Sequence, residues 1–228
     1  MNVASAGFEL EDLLSFLPRS EALRLKKGQV VYTADQIPRS LYLVESGSIV
    51  LMTERNHCTA VKRICFAEEF FGESVFIGNS GEHAEAITDS QVLYWDTDEL
   101  RALISREPDF ALALAQEAVK RAAEYEDRIV SMVCQPIPAQ LATLLLSLSS
   151  KQHQNGSAEE AMNSIPHKIL AQFIGTSREV VTHYLNEFRR SGLLRYSRKE
   201  MCINSEAMVS RFPESRTNPL LMQPEPSH

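Results

Sequence analysis

Residues 167–192, HKILAQFIGTSREVVTHYLNEFRRSG, constrain this chain more than any other stretch. They read as two short helices joined by a tight turn. Ala171, Gly175 and Val181 stand where such a pair needs a small residue beneath the second helix, a residue free to turn, and a buried apolar anchor. Thr176 is expected to open the second helix, with Glu179 three residues on completing a capping box in which each side chain satisfies an orphan backbone donor. At about 100° per residue, Val180, Val181, Tyr184, Leu185 and Phe188 share one arc of that helix. Arg178, Glu179, Thr182, His183, Asn186, Arg189 and Arg190 share the other. One arc is a core face and the other a polar reading surface. An amphipathic surface helix has the same period; the conjunction with turn glycine, cap and local charge is what points to DNA.

Between Asn163 and Cys202 there are seven Lys and Arg against three Asp and Glu, inside a chain whose net charge is −7. An anionic partner is therefore implied for this segment alone. After Gly192, LLRYSRKEMCI reads as two short strands around a turn at 197–200, a wing. Arg195, Arg198 and Lys199 at its tip would touch phosphates, which position a domain without specifying sequence. Residues 1–136 carry 13 basic and 22 acidic side chains; residues 137–228 carry 10 and 8. Such asymmetry suits an acidic regulatory half joined to a DNA-binding half.

Upstream, FELEDLLSF has apolar residues at helical spacing. From Leu25 to Leu100 the pattern shifts to short β-rich runs, QVVYT, SLYLVESGSIVLM, AVKRICF and QVLYWD, punctuated by Gly, Pro, Asn and Asp. That is the grammar of a small antiparallel barrel or jelly roll. A long helix is expected from Pro108 to about Cys134, with proline in its first turn. Ala111, Ala115, Ala118, Ala122, Tyr125, Ile129 and Met132 follow along it in steps of four and three, the spacing of a two-stranded coiled coil, and are read as a dimer seam. The competing reading is that this stripe packs on the barrel. Pro136 and Pro138 mark a hinge before the helix PAQLATLLLSLSS; KQHQNGSAEEAMNS reads as a loop, and the proline-rich stretch past Phe212 as a loosely docked tail.

The expected fold class is α+β, with an N-terminal antiparallel β-roll over 1–107 and a dimerisation helix over 108–135. A winged helix-turn-helix domain follows over 136–212 and a flexible tail over 213–228. This order, together with AQFIGTSREVVTHYL, SLYLVESGSIVLM and FFGESVFIG, resembles the catabolite-activator / fumarate-nitrate-regulator (CRP/FNR) family of bacterial transcription factors over roughly residues 10–210. The resemblance implies a cytoplasmic homodimer that binds double-stranded DNA at an inverted repeat and works with RNA polymerase. It places Ser177, Arg178 and Glu179 against bases. Arginine matches guanine O6 and N7, and glutamate accepts from cytosine N4, so the pair suits a G·C-containing half-site. Cyclic-AMP-responsive members have a further arginine where His183 stands, and Ser177 and Thr182 are better suited to phosphate or thymine-methyl contact.

The effector pocket implied by the resemblance consists of Gly72, Glu73, Ser74, His83, Ala84, Tyr125 and Glu126. Cyclic-nucleotide binders pair the Gly-Glu, whose carboxylate bonds ribose, with an Arg-Ser that neutralises the cyclic phosphate; here those two positions read His83-Ala84. A Thr-Ser contributed by the dimer helix of the cAMP sensor reads Tyr125-Glu126. A buried phosphate without a paired cation is costly, so the reading is that cAMP is not bound. Iron-sulfur members use clustered N-terminal cysteines, whereas the first cysteine here is Cys58, so no cluster is expected. His57, His83 and Cys65 are of the residue types that ligate haem, and one exposed low-pKa thiol would suffice for redox sensing; a haem- or redox-sensing regulator is a minor alternative. Cys58, Cys65, Cys134 and Cys202 form no CxxC pair, and no metal site is expected. A cupin-like metal enzyme would need a His-x-His pair, and 30–100 holds only His57 and His83; no GxSxG, P-loop, HExxH or GxGxxG is present. No run approaches a membrane span or a signal peptide. A constitutive DNA binder with a vestigial barrel is the remaining alternative, separable by a mobility shift on the apoprotein.

Overall fold

A computed structural model describes residues 13–36, 39–78, 81–154, 165–196 and 201–215. A one-turn 3-10 helix at Leu13–Phe16 precedes eight strands: β1 (Ala22–Leu25), β2 (Val30–Tyr32), β3 (Ser40–Ser46), β4 (Ile49–Arg55), β5 (Cys58–Cys65), β6 (Phe70–Phe71), β7 (His83–Ala86) and β8 (Ser90–Asp96). They form two antiparallel four-stranded sheets, ordered β1-β8-β3-β6 and β2-β7-β4-β5. The run SLYLVESGSIVLM is two strands, β3 and β4. β7, HAEA, has little intrinsic preference for a strand, yet it lies between β2 and β4. Its alanines are buried in the barrel core with Leu51 and Cys65, so burial overrides propensity.

Among the described residues six helices follow: α1 (Thr97–Arg106), α2 (Pro108–Cys134), α3 (Ile137–Gln154), α4 (His167–Ile174), α5 (Arg178–Arg190) and α6 (Ser205–Arg211), with β9 (Leu194–Tyr196) and β10 (Met201–Ile203) between α5 and α6. Asp96 caps α1 by accepting from the Asp98 and Glu99 amides, while Glu99 accepts from the Asp96 amide at 2.9 Å. Pro108 starts α2, where the absence of an N–H is harmless. The last turn of α3 takes in 151–154, the start of the run expected to be a loop. The rest of that run through Ser164, the wing tip at 197–200 with Arg198 and Lys199, and the tail past Ser215 lie outside the described residues. Pro213–Ser215 form a 3-10 turn whose Ser215 is buried.

Three clusters make up the interior. One fills the barrel between the sheets, around Ile49, Leu51, Phe71 and Val92. A second packs Leu41, Phe70 and Trp95 under α1 and the start of α2. The third crosses between the halves, joining Val50, Val61, Ile64 and Phe66 of the barrel to Leu141, Leu170, Val181, Leu185 and Phe188. From Val61 onward β5 is thus packed on both faces, one against the barrel interior and one against the helix-turn-helix.

Candidate functional site

The second helix of the turn motif begins one residue later than Thr176 suggests. Ser177 is the N-cap of α5, its Oγ accepting from the Val180 amide, and Thr176 lies in the turn with its amide donating to the Ala171 carbonyl at 3.0 Å. The cause is Gly175, which ends α4 in the left-handed region at φ 72° and spaces the chain so that Ser177 takes the extended cap conformation. Glu179 therefore sits in the first turn, exposed, its carboxyl held below the usual range by its own backbone amide and the Ser177 hydroxyl.

Val181, Leu185 and Phe188 anchor α5 in the core and Ala171 lies buried beneath it. Arg178, Glu179, His183, Asn186 and Arg189 all face solvent, and Arg195 is exposed on β9. Thr182 is different. Its hydroxyl donates to the Arg178 carbonyl at 2.8 Å and meets His167 Nδ1 at 2.9 Å, tying α5 to α4. β9 and β10 pair antiparallel, Leu194 opposite Ile203, forming the base of the wing.

A cavity of about 650 Å³ opens between the β-roll and α2. Of the expected effector residues it gathers Glu73, Ser74 and Tyr125. Gly72 packs on Tyr42 just before it. His83 pairs with Glu85 at 3.3 Å, Ala84 is buried in the barrel core, and Glu126 is exposed; none of the three lines the cavity. The cations come from elsewhere. Glu73 pairs with Arg63 of β5 at 3.3 Å and with Arg121 of α2, and Glu117 holds Arg121 Nε at 3.1 Å. Lys62 meets Glu82 at 2.6 Å, and Glu82 also accepts from the Tyr32 hydroxyl. Arg63 further donates to the Phe70 carbonyl and to Cys65 Sγ.

Neither arginine was visible as a site residue in the sequence. β4 and β5 pair Leu51 with Arg63 but Met52 with Val61, so Lys62 is an extra, bulged residue. Beyond it the alternation flips, and both Lys62 and Arg63 reach the cavity. The one signal for Arg121 is its i,i+4 spacing to Glu117.

α2 presents a second surface. Of the expected stripe, Ala115, Ala118, Ala122, Tyr125, Ile129 and Met132 are exposed and Ala111 is half-buried; Ala111, Ala115, Ala118, Ala122 and Tyr125 also border the cavity. Its large apolar side chains left in solvent include Leu112, Val119, Tyr125, Ile129, Val130, Met132 and Val133, with Val119 70% and Val133 78% exposed. Leu112, Ala115, Val119, Ala122, Ile129 and Val133 keep heptad spacing, offset by one residue from part of the expected stripe. Further along, Arg128 donates to the carbonyls of Lys62 and Val61, each at 2.8 Å, and to that of Phe173 on α4, stacking on the Phe173 ring.

Among the described residues no cluster of three or more His, Cys, Asp or Glu could hold a metal ion, and no helix is long and apolar enough to cross a membrane. Two family models match in tandem, a cyclic nucleotide-binding domain over residues 22–107 and a Crp-like helix-turn-helix domain over 139–211. The chain belongs to the CRP/FNR family of transcription regulators. It is 23% identical over 209 residues to the CRP-like cAMP-activated global transcriptional regulator of Mycobacterium tuberculosis, covering 90% of this chain and 93% of that one. It is 23% identical over 207 residues to the fumarate and nitrate reduction regulatory protein of Salmonella typhimurium, covering 89% and 82%. FixK2 from Bradyrhizobium japonicum shares the fold at a TM-score of 0.75 and 17% identity, over 85% of this chain and 97% of that one. As a family member the chain is a DNA-binding regulator built from a cyclic nucleotide-binding-like domain and a helix-turn-helix.

Proposed function

We propose that two copies of this chain pair along α2 and present their α5 helices to successive major grooves of an inverted-repeat operator. The observation that carries this reading is the solvent face of α5, where Arg178, Glu179, His183, Asn186 and Arg189 are exposed while Val181, Leu185 and Phe188 anchor the helix in the core. Arg178 and Glu179, in the first turn, read a guanine and a cytosine, each contact discriminating by about 1–3 kcal/mol. Asn186 and Arg189 follow along the groove, and Arg195, Arg198 and Lys199 of the wing meet phosphates. Ser177 and Thr182 serve mainly to cap and seat the helix, so a thymine contact from Thr182 falls to its methyl group. The domain limits 1–107, 108–135 and 136–212 are the working division, with RNA polymerase as the functional partner.

The exposed apolar stripe of α2 supports pairing, because large apolar residues in one row along a helix mark an interaction surface. The regulator is ligand-gated and does not answer to cAMP. Where the cyclic phosphate would need a cation, Ala84 is buried in the barrel core and His83 is turned to Glu85. Glu73, which would hold a ribose, is already bound by Arg63 and Arg121.

Selection of bound duplexes from random DNA tests the reading. The expected result is a palindromic site, with Arg178→Ala removing preference for one G·C pair per half-site. Enrichment of no site, or an unchanged preference in the variant, would refute it. Isothermal titration should show no cAMP binding tighter than millimolar.

A further inference from the structure

Arg63 and Arg121 enter the cavity from opposite walls, β5 and α2, and share the carboxylate of Glu73. Burial and the neighbouring Arg63 pull the Arg121 guanidinium down to about 10, a sign of two like charges held together out of water. Around this charged end the walls are apolar, from Leu41, Phe70, Ile104 and Leu114 to Phe76 and Ile77, and the last two stand exposed. The hydroxyl of Ser74, which also lines the cavity, is buried and has no hydrogen-bond partner among the described residues. A cavity of about 650 Å³ with greasy walls and a few convergent polar groups has the character of a small-molecule site.

We propose that this cavity binds a small organic monocarboxylate with an apolar body of about six to ten carbons, whose carboxylate is taken by Arg63 and Arg121 in exchange for Glu73. This rests on reading the chain as a ligand-gated regulator. The group the two guanidiniums already hold is a carboxylate, and their planar forks suit another. The exchange conserves charge, since one carboxylate leaves and one arrives while Glu117 stays on Arg121. Glu73 is able to leave, because it sits at the head of a one-turn 3-10 helix with its side chain 36% exposed. Ser74 offers the incoming ligand a donor. A nucleotide would set ribose and purine polar atoms against apolar walls that cannot satisfy them.

The bound ligand would act along β5. Arg63 follows Lys62, whose carbonyl, with that of Val61, holds Arg128, and Arg128 holds the Phe173 carbonyl on the first helix of the DNA-binding motif. Ala115 and Ala122, which line the cavity, also belong to the exposed α2 stripe, so the same ligand touches the proposed seam.

Titration calorimetry of the full chain with octanoate and cyclohexanecarboxylate, against octanamide and cyclohexanecarboxamide, tests the proposal. At least one acid should bind about tenfold or more tighter than its amide. Arg121→Gln should weaken the acid about tenfold and leave the amide unchanged. Glu73→Gln, which removes the internal competitor, should tighten the acid severalfold; a purely structural Glu73 would leave acid binding unchanged or weaker. Neither acid binding at millimolar concentration, equal binding of acid and amide, or no tightening in Glu73→Gln overturns the proposal. Should Arg121→Gln fail to fold, Glu73→Gln and the amide comparison decide alone. DNA selection with Arg178→Ala is scored without any acid, so a flat titration removes the ligand and leaves the operator reading standing.

Discussion

Ser177, not Thr176, caps the reading helix, and the difference is one that a single substitution exposes. Ser177→Ala should cost about 1 kcal/mol in chemical denaturation, whereas Thr176→Ala should cost a few tenths at most. His167 is the titrating member of the same motif. Partial burial and the nearby Arg178 lower its pKa, so the folded protein takes up this proton less readily than the unfolded chain. Folding stability should therefore be fully present above about pH 6.5 and fall as the pH drops below it. His167→Gln should flatten that part of a melting-temperature profile between pH 5 and 7. Two turn glycines separate strain from clash. A Cβ on Gly175 would meet only Met132 Cε at 3.5 Å, so Gly175→Ala pays about 1 kcal/mol for its left-handed backbone alone. On Gly47 it would lie 2.5 Å from the Asp89 carbonyl, and Gly47→Ala should be clearly the more destabilising in the same denaturation series.

At the scale of elements, β5 carries more of the protein's logic than its sequence discloses. AVKRICF reads as an ordinary strand, and strict alternation would turn Lys62 away from the face that holds Arg63. The bulge against Leu51 and Met52 points both toward the cavity and leaves Val61 and Ile64 to pack on the helix-turn-helix. A bulge is a property of two paired strands, so one strand's residues do not announce it. The Arg128 clamp is similar. Its guanidinium satisfies three carbonyls from two elements far apart in sequence, and the charged donor makes each bond stronger than a neutral one. Arg128→Met should loosen α4 from β5, seen as hydrogen exchange at α4 amides faster by about tenfold while the barrel strands away from β5 keep their protection.

At the scale of the molecule, one continuous core links barrel and DNA-binding helices, and the apolar row along α2 remains uncovered. Val119 contacts little in a single chain, so Val119→Glu should leave its fold and melting temperature nearly unchanged. If α2 is the seam, sedimentation should show that variant as a monomer, and its affinity for a palindromic site should drop at least tenfold while half-site binding persists. An unaltered dimer would place the seam elsewhere.

The family, the order of its parts and the two faces of α5 were readable from residues 167–192 and the β-rich runs, because local periodicity, a turn glycine and charge balance act over a few residues. So was the absence of the usual cyclic-phosphate partner at His83-Ala84. What only the tertiary structure decided is where charge comes together. Lys62 and Arg63 on a strand and Arg121 on a helix become one site through a bulge and a long-range packing of α2 on the roll. The exposed α2 row, too, is defined by which side the barrel covers. Chain-distant groups meet by sheet register and helix docking, and neither is written in any single segment.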